Sequence, residues 1–360
     1  MDAMKSPTGR ARKRPAARKQ NKKAIPTIHD VARRGGVSAM TVSRVINGHK
    51  YVSDKTREKV YRAIKDLDFS PNAAARNIHG GARIALIYTN PSSSNLANYL
   101  MGAFRQGAIG GCQLHAEQAA LPDPLEWLQK LVSAGFDAVI LPPPLCDSDA
   151  VFGFLERKGV QALSFATAEL RPDRSAVIIN DFEGARMMTE HLLELGHRDI
   201  AFVQGDPTHS PAKRREAGFR QSMADAGLEV KPQRIVRGYF TYRSGLQAAR
   251  QLLEPQDRPT AVFSANDDMA AAVAAVAHGL GLSIPGDLSI AGFDDTPVAS
   301  TIWPELTTIR QPIADMASAA VEIMMDAVRR IRVGEASKPQ HRFMPLSLVK
   351  RDSTAAPHRR

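Results

Sequence analysis

From Arg83 onward the chain keeps one texture: a short apolar run of strand length, then a stretch with helical spacing. The apolar runs fall at residues 84–88, 113–117, 138–141, 162–165, 177–179, 200–203, 235–237, 261–264 and 288–291. Helical patterns intervene, among them 98–109, 182–194, 213–226, 242–253 and 268–278. Short, mainly apolar runs spaced for intervening helices suit parallel strands covered on both faces by helices. Nine or more of them predict two doubly wound α/β lobes rather than one sheet, with the break near Asn180-Asp181. Ligands in such folds bind outside the carboxyl ends of the strands. Asn90, Asn266 and Asp294 each stand just past such an end and are candidate cleft residues. A turn or helix-cap role is the competing reading for each.

Upstream the texture is all-α. In Val37-Ser38-Ala39-Met40-Thr41-Val42-Ser43-Arg44-Val45-Ile46-Asn47, the residues Val42, Val45 and Ile46 share one side of a helix. Ala39, Met40, Ser43 and Arg44 take the other side. Ser38 is a suitable N-cap, and Asn47-Gly48 a suitable stop. Such a helix buries one stripe and offers a small polar face ending in an arginine. That face suits a DNA major groove, where Arg can bond bidentately to guanine. Taken alone, the stretch equally suits a short surface helix. Before it, Thr27 to Arg34 reads as a helix with Ile28, Val31 and Ala32 inward, and Gly35-Gly36 as a tight turn. Helix, glycine turn and second helix make the helix-turn-helix pattern. Ser53 or Asp54 then caps a third helix with Val60, Ala63, Ile64 and Leu67 inward.

Charge separates these two regions. Residues 1–80 carry 19 Lys and Arg against 6 Asp and Glu, whereas the remaining 280 carry 29 against 31. A basic module joined to a near-neutral body points to a polyanionic partner. Residues 1–25 read as a disordered basic tail, which either adds attraction to phosphate or only solubilises. Residues 70–81 begin with Ser70 as a cap and Pro71 as first helical residue. The helix they predict has about two turns, too few to hold alone in water. It would order only against a partner, a twin copy or DNA.

Other classes find little support. No apolar run is long enough for a membrane span, and no secretory signal pattern opens the chain. Cys112 and Cys146 make neither a disulfide framework nor a metal site, and they fit a reducing cytoplasm. The sequence contains no glycine-rich phosphate loop, no His-Glu-x-x-His and no Gly-x-Ser-x-Gly, so neither an enzyme nor a cofactor is expected.

The stretch from Thr27 to Arg83 resembles the lactose-repressor (LacI/GalR) family of bacterial transcription regulators. The residues carrying the resemblance are Asp30-Val31-Ala32, Gly36-Val37-Ser38, Thr41 to Asn47, Val52-Ser53, Thr56-Arg57 and Ser70-Pro71-Asn72. It continues through Gly196 to Ala201, Arg215 to Phe219, Asn266 to Ala270 and Gly292-Phe293-Asp294-Asp295. The resemblance implies a helix-turn-helix domain, a hinge helix and a two-lobed effector domain like periplasmic sugar-binding proteins. It implies base reading by Ala39, Met40 and Arg44. Thr41, Ser43, Asn47 and Ser53 become phosphate-contacting or capping residues. Ile78 becomes the minor-groove wedge, with Ala75 as its small neighbour.

In the effector domain the resemblance assigns ligand contacts to Arg215, Phe240, Asn266 and Asp294, and in the first lobe to Asn90 and Ser94. A core role is the alternative for Phe240. The partners it implies are a pseudo-palindromic double-stranded operator, a second copy of the chain and a small carbohydrate-like effector. A purine- or sugar-phosphate-responsive co-repressed regulator is the alternative, and a solute-binding protein a remoter one. The segment beyond Lys350 lacks leucine heptads, which favours a dimer over a tetramer.

The expected layout is a tail at 1–25, a helix-turn-helix domain at 26–69, a hinge at 70–81, an effector and dimerisation domain at 82–351 and a tail at 352–360. Within the effector domain the first lobe is expected at about 82–179 and 309–340, and the second at about 180–308 and 341–351. The reading places the protein in the cytoplasm.

Overall fold

A computed structural model describes residues 28–46, 52–67, 81–120 and 123–358. The expected tail at 1–25, Thr27, Asn47, and the hinge residues Ala75 and Ile78 lie outside the described residues. The chain divides into two compact units, Met1–Ala75 and Arg76–Arg360.

The described residues of the first unit form three helices, α1 (Ile28–Gly35), α2 (Ala39–Ile46) and α3 (Asp54–Asp66). Val31, Ala32, Val42, Val45, Val60 and Ala63 form their common core. Gly36, at φ +62°, turns the chain between α1 and α2 without the strain a Cβ would bring. Each following helix is capped by a serine whose side chain accepts a backbone N–H. Thr41 N donates to Ser38 Oγ at 3.1 Å, and Thr56 N to Ser53 Oγ at 3.4 Å. So Ser53, not Asp54, is the cap of α3.

The second unit holds two parallel sheets. Its elements run β1 (Arg83–Tyr88), α4 (Leu96–Gly110), β2 (Gln113–Gln118), α5 (Pro124–Ala134), β3 (Ala138–Leu141), α6 (Asp149–Arg157), β4 (Gln161–Phe165) and β5 (Ser175–Ile178). There follow α7 (Asp181–Glu194), β6 (Ile200–Val203), α8 (Ser210–Asp225), β7 (Ile235–Val236), α9 (Tyr242–Leu253), β8 (Ala261–Ser264), α10 (Asp267–Gly279) and β9 (Ser289–Ala291). The chain closes with α11 (Pro297–Thr301), β10 (Thr308–Arg310), α12 (Ile313–Arg332), β11 (His341–Phe343) and β12 (Ser347–Val349).

The first sheet has the order β11-β5-β4-β3-β1-β2 and the second β7-β6-β8-β9. A separate antiparallel pair joins β10 to β12. Helix α12 packs along α4 and behind β3, β4 and β5, which covers one face of the first sheet. The chain therefore crosses between lobes three times: from β5 to α7, from β10 to α12, and from β11 to β12.

Three expected boundaries need correction. His341–Phe343 pairs with β5, so the first lobe's second segment runs past 340, while Thr308–Arg310 pairs with β12 and leaves Ile309 outside that lobe. Residues 352–358 are not a tail. Ile290 N donates to Ser353 O at 2.8 Å, Thr307 N to Ser353 Oγ at 2.8 Å, and Ala355 O lies 2.9 Å from His197 Nε2. Ser353 is consequently 1% exposed. A polar, short C-terminal stretch gives no apolar signal for such docking, because backbone groups and a serine make it.

Gly102 sets the approach of α4 to α12: a Cβ there would stand 2.0 Å from Ala314 O. Gly102→Ala is expected to force the helices apart and destabilise the second unit by about 1–3 kcal/mol, the usual range for overpacking. Urea unfolding checks this, and an unchanged midpoint would contradict the close packing.

Candidate effector cleft and DNA-reading helix

Helix α2 divides by burial. Val42 and Val45 are fully buried, whereas Met40 is 65% exposed and Arg44 is exposed beside it. Ala39 and Ser43 are half-buried at the margin of the same outward face. The Thr41 hydroxyl lies 2.9 Å from Ser38 Oγ, and Ser53 Oγ lies 2.9 Å from Thr56 Oγ1. Both therefore serve the helix starts. The outward face presents methyl groups, a thioether and one guanidinium, groups able to contact base edges in a major groove.

In the second unit a cavity of about 430 Å³ opens between the lobes at the carboxyl ends of both sheets. That is the position the strand-end rule predicts. First-lobe walls come from Tyr88 at the end of β1 and Thr89 and Asn90 just past it, from Asn95 and Tyr99 at the start of α4, and from Phe165 at the end of β4. Second-lobe walls come from Asp206 and His209 after β6, Phe240 after β7, Asn266 after β8 and Asp294 after β9, with Gln311 from a crossover. Among the described lining residues there is no Lys or Arg.

Four of the six expected effector contacts line this cavity: Asn90, Phe240, Asn266 and Asp294. Asn266 Oδ1 accepts Met269 N at 3.1 Å and so caps α10, while Nδ2 donates to Phe240 O at 3.3 Å. The cap and cleft readings are thus both realised in one side chain. Phe240 sits at φ +57° and stacks on His209 with ring centroids 5.6 Å apart. Gly205 makes room for it, since a Cβ there would stand 2.1 Å from Phe240 Cζ.

The other two are placed differently. Ser94 turns away from the cavity and donates to Asp268 Oδ1 at 2.5 Å. Arg215 lies beneath the cavity floor, 5% exposed, with its Cζ 3.7 Å from the centroid of the Phe293 ring. Its Nε donates to Asp181 Oδ1 at 2.8 Å, and its Nη1 to Ala265 O at 2.6 Å and Asp294 Oδ1 at 3.4 Å.

Arg215 bonds two carboxylates of a buried cluster of three, Asp181, Asp267 and Asp294, and Arg214 adds its charge near Asp181. Burial raises the Asp294 carboxyl to about 7, against the pull of Arg215 and the Gln311 amide. Burial also raises Asp181, again opposed by Arg215. Asp267 goes up through burial and the charge of Asp294, despite donors from Thr308 Oγ1 at 2.6 Å and Thr296 N at 2.8 Å. His209 is lowered by burial and Tyr99 raised by it.

Asn95, His209, Gln311, Tyr99 and Asp181 were not singled out by sequence. Each stands one or a few residues from a strand end or helix start, so the rule that found Asn90, Asn266 and Asp294 reaches them too. Among the described residues no group of three His, Cys, Asp or Glu side chains could hold a metal ion. No described helix is long and apolar enough to cross a membrane.

A three-helix unit with an outward-facing reading helix, joined in one chain to a two-lobed unit with an interlobe cleft, defines a ligand-responsive DNA-binding regulator. Residues 27–72 match the model for bacterial regulatory proteins of the lacI family, and residues 189–354 match that for a periplasmic binding protein-like domain. The transcriptional repressor PurR of Klebsiella pneumoniae is 33% identical over 339 residues, covering 92% of this chain and 97% of the relative. The transcriptional regulator DegA of Bacillus subtilis is 34% identical over 337 residues, covering 91% and 98%. Among solved structures, a complex of the transcriptional regulator CelR with cellobiose matches at 30% identity and TM-score 0.69, covering 91% of this chain and 99% of that one. The lac repressor dimer bound to operator and the anti-inducer ONPF matches at 28% and 0.68, covering 92% and 100%. The chain belongs to the lacI family of bacterial transcription regulators. It is a DNA-binding regulator with an effector-binding domain.

Removing Arg215 leaves Asp181 and Asp294 buried without their cation. Arg215→Ala should destabilise the second unit by about 3–5 kcal/mol near neutral pH, the usual result of breaking a buried pair. Both carboxyls then have folded pKa values raised further above their unfolded ones, so stability is lost as pH rises through that window. The penalty should therefore shrink from about pH 8 to about pH 5. Denaturant titrations at the two pH values decide it; an equal or larger penalty in acid would contradict the charge assignment.

Proposed function

We propose that the chain is a repressor whose grip on a pseudo-palindromic operator, as a homodimer in the cytoplasm, is set by a neutral carbohydrate-like effector bound between the lobes. The observation that carries the effector class is the cleft lining: amides, hydroxyls and two carboxylates beside aromatic rings, with no ammonium or guanidinium group among the described lining residues. Hydroxyl arrays need mixed donors and acceptors, and the apolar face of a sugar ring needs an aromatic surface such as Phe240. A phosphorylated effector would meet Asp206 and Asp294 with no lining cation to offset them. Effector binding would act by population shift, which requires different affinities for the two lobe arrangements.

On the DNA side, Arg44 is the bidentate reader, with Ala39 and Met40 supplying apolar contact, for instance to thymine methyl groups. Thr41 and Ser53 stand on or next to helix starts and Ser43 at the margin of the outward face of α2, and we assign all three to phosphate contacts, which fix register rather than sequence. Asn47, Ala75 and Ile78 complete this assignment on sequence grounds alone.

Two measurements test the reading. Arg44→Ala should cost about 1–3 kcal/mol on the operator and little on random DNA. An equal loss on both would make Arg44 a phosphate contact instead. Thermal shift of the full chain against neutral sugars, their phosphates and purine bases should single out a neutral sugar. At a hundredfold excess over its Kd that sugar stabilises by about 2.7 kcal/mol, and Asn266→Ala should remove the shift. Tighter binding of a phosphate or purine than of every neutral sugar would overturn the effector class.

A further inference from the structure

The cleft lining changes character along the second sheet. In the order β9, β8, β6, β7, the loops just past the strand ends carry Asp294, Asn266, Asp206 and Tyr239. Exposure rises in the same direction. Asp294 is 7% exposed and Asn266 4%, whereas Asp206 is half-buried and Tyr239 is 51% exposed. The cavity therefore has a buried end at β9 and β8 and an open end at β6 and β7. From β9 to β7 is three strand spacings, about 14 Å at about 4.8 Å each. A pyranose ring is hardly wider than one spacing, so a single ring fits against one end at a time.

Each end is equipped for a ring. At the buried end Asn266, Asp294 and Gln311 supply donors and acceptors, and Phe240 supplies an aromatic face. Asn266 Nδ2 donates to the Phe240 carbonyl at 3.3 Å and so ties that residue to the buried end. At the open end Tyr239 supplies a second aromatic face, with Asp206 and Thr208 lining the same cavity from the loop after β6. Thr208 donates its N–H and its hydroxyl to Asp206 Oδ1, at 2.8 and 2.6 Å. Those bonds fix the carboxylate and leave Oδ2 for a ligand hydroxyl. Tyr239 is fixed as well, since its N–H donates to Ser244 Oγ at 3.0 Å, inside the capping box of α9. An aromatic ring half in water is apolar surface that a ligand can cover, and a fixed backbone lowers the ordering cost of covering it.

We propose that the cleft takes a neutral disaccharide, with one ring at the buried end and the second on Tyr239 at the open end. Tyr239 is then the residue that separates two-ring from one-ring effectors, and Asp206 reads a hydroxyl of the outer ring. The proposal rests on reading the cleft as the site of a neutral carbohydrate. A sugar ring lays its C–H face on an aromatic ring while the hydroxyls at its rim bond to side chains. An aryl group in place of the outer sugar would share the stacking on Tyr239 but offer no hydroxyl to Asp206.

The test is calorimetric titration of the full chain without DNA. The probes are glucose, galactose, mannose and fructose, the disaccharides maltose, cellobiose, lactose, sucrose and trehalose, and p-nitrophenyl glucosides and galactosides. The expected result is a disaccharide that binds at least about tenfold tighter than either of its constituent sugars. Tyr239→Ala should lose about tenfold on that disaccharide and leave the constituent sugars within about twofold, while Tyr239→Phe keeps most of the affinity. Asp206→Asn retains an oxygen for the turn with Thr208 and should weaken the disaccharide about fivefold without affecting an aryl glycoside. Single sugars that bind as tightly as every disaccharide overturn the proposal and leave the carbohydrate reading standing. So does an equal loss on one ring and on two in Tyr239→Ala. An aryl glycoside bound more tightly than every disaccharide overturns the outer sugar. A chain that binds none of these sugars refutes the carbohydrate reading and the proposal together.

Discussion

Arg215 holds together the edge of the second lobe that faces the cleft. Its two bonded nitrogens reach the start of α7, the end of β8 and the loop after β9, and its flat face lies on Phe293. Asp294 points into the cleft because this guanidinium and Gln311 hold one of its oxygens, which leaves the other for the first lobe. A lysine could not replace this arrangement, since an ammonium lacks the planar fork that bonds two directions while stacking. The ligand-facing residues are thus organised from below by a side chain that does not line the cavity.

Strain concentrates at the same edge. Phe240, Asp294 and Asp295 all have positive φ, and Ala166 does so on the opposite wall. L residues adopt such backbone only where surrounding structure over-determines it, and these positions collect at sites that bind or switch. Phe240 is held by the space Gly205 leaves and by the Asn266 amide on its carbonyl. Asp295 is held by Arg310 and Arg351. Asp294 is held by the buried arginine and by Gln311.

Much of this was legible in the sequence, and for identifiable reasons. Ser38 and Ser53 declare helix starts because a serine oxygen accepts the early N–H groups, and Val42 and Val45 declare the buried side by spacing. The nine expected strands all exist, most of them as short, mainly apolar runs; β2, which alternates polar and apolar residues, stands at a sheet edge. By contrast, β11 is exposed along its length, and β10 and β12 are three residues each, so none carries a periodic signal. Asn90, Asn266 and Asp294 were found because strand ends are readable. That Ser94 turns to Asp268, and that Arg215 sinks beneath the floor, depends on charges brought together from distant segments, which local pattern does not encode.

The three crossovers carry a genetic consequence. Neither lobe is one continuous stretch of the gene: the first is assembled from the segments before α7 and around α12, the second from the segment between them and the chain's end. A recombination event that exchanged one lobe for that of a relative would need three junctions to fall in register at once. Recombination with a single junction can trade the reading helices but breaks both lobes if it falls within the second unit. New pairings of operator and effector are therefore open to this chain by shuffling, whereas a new effector site must arise by substitution along the cleft.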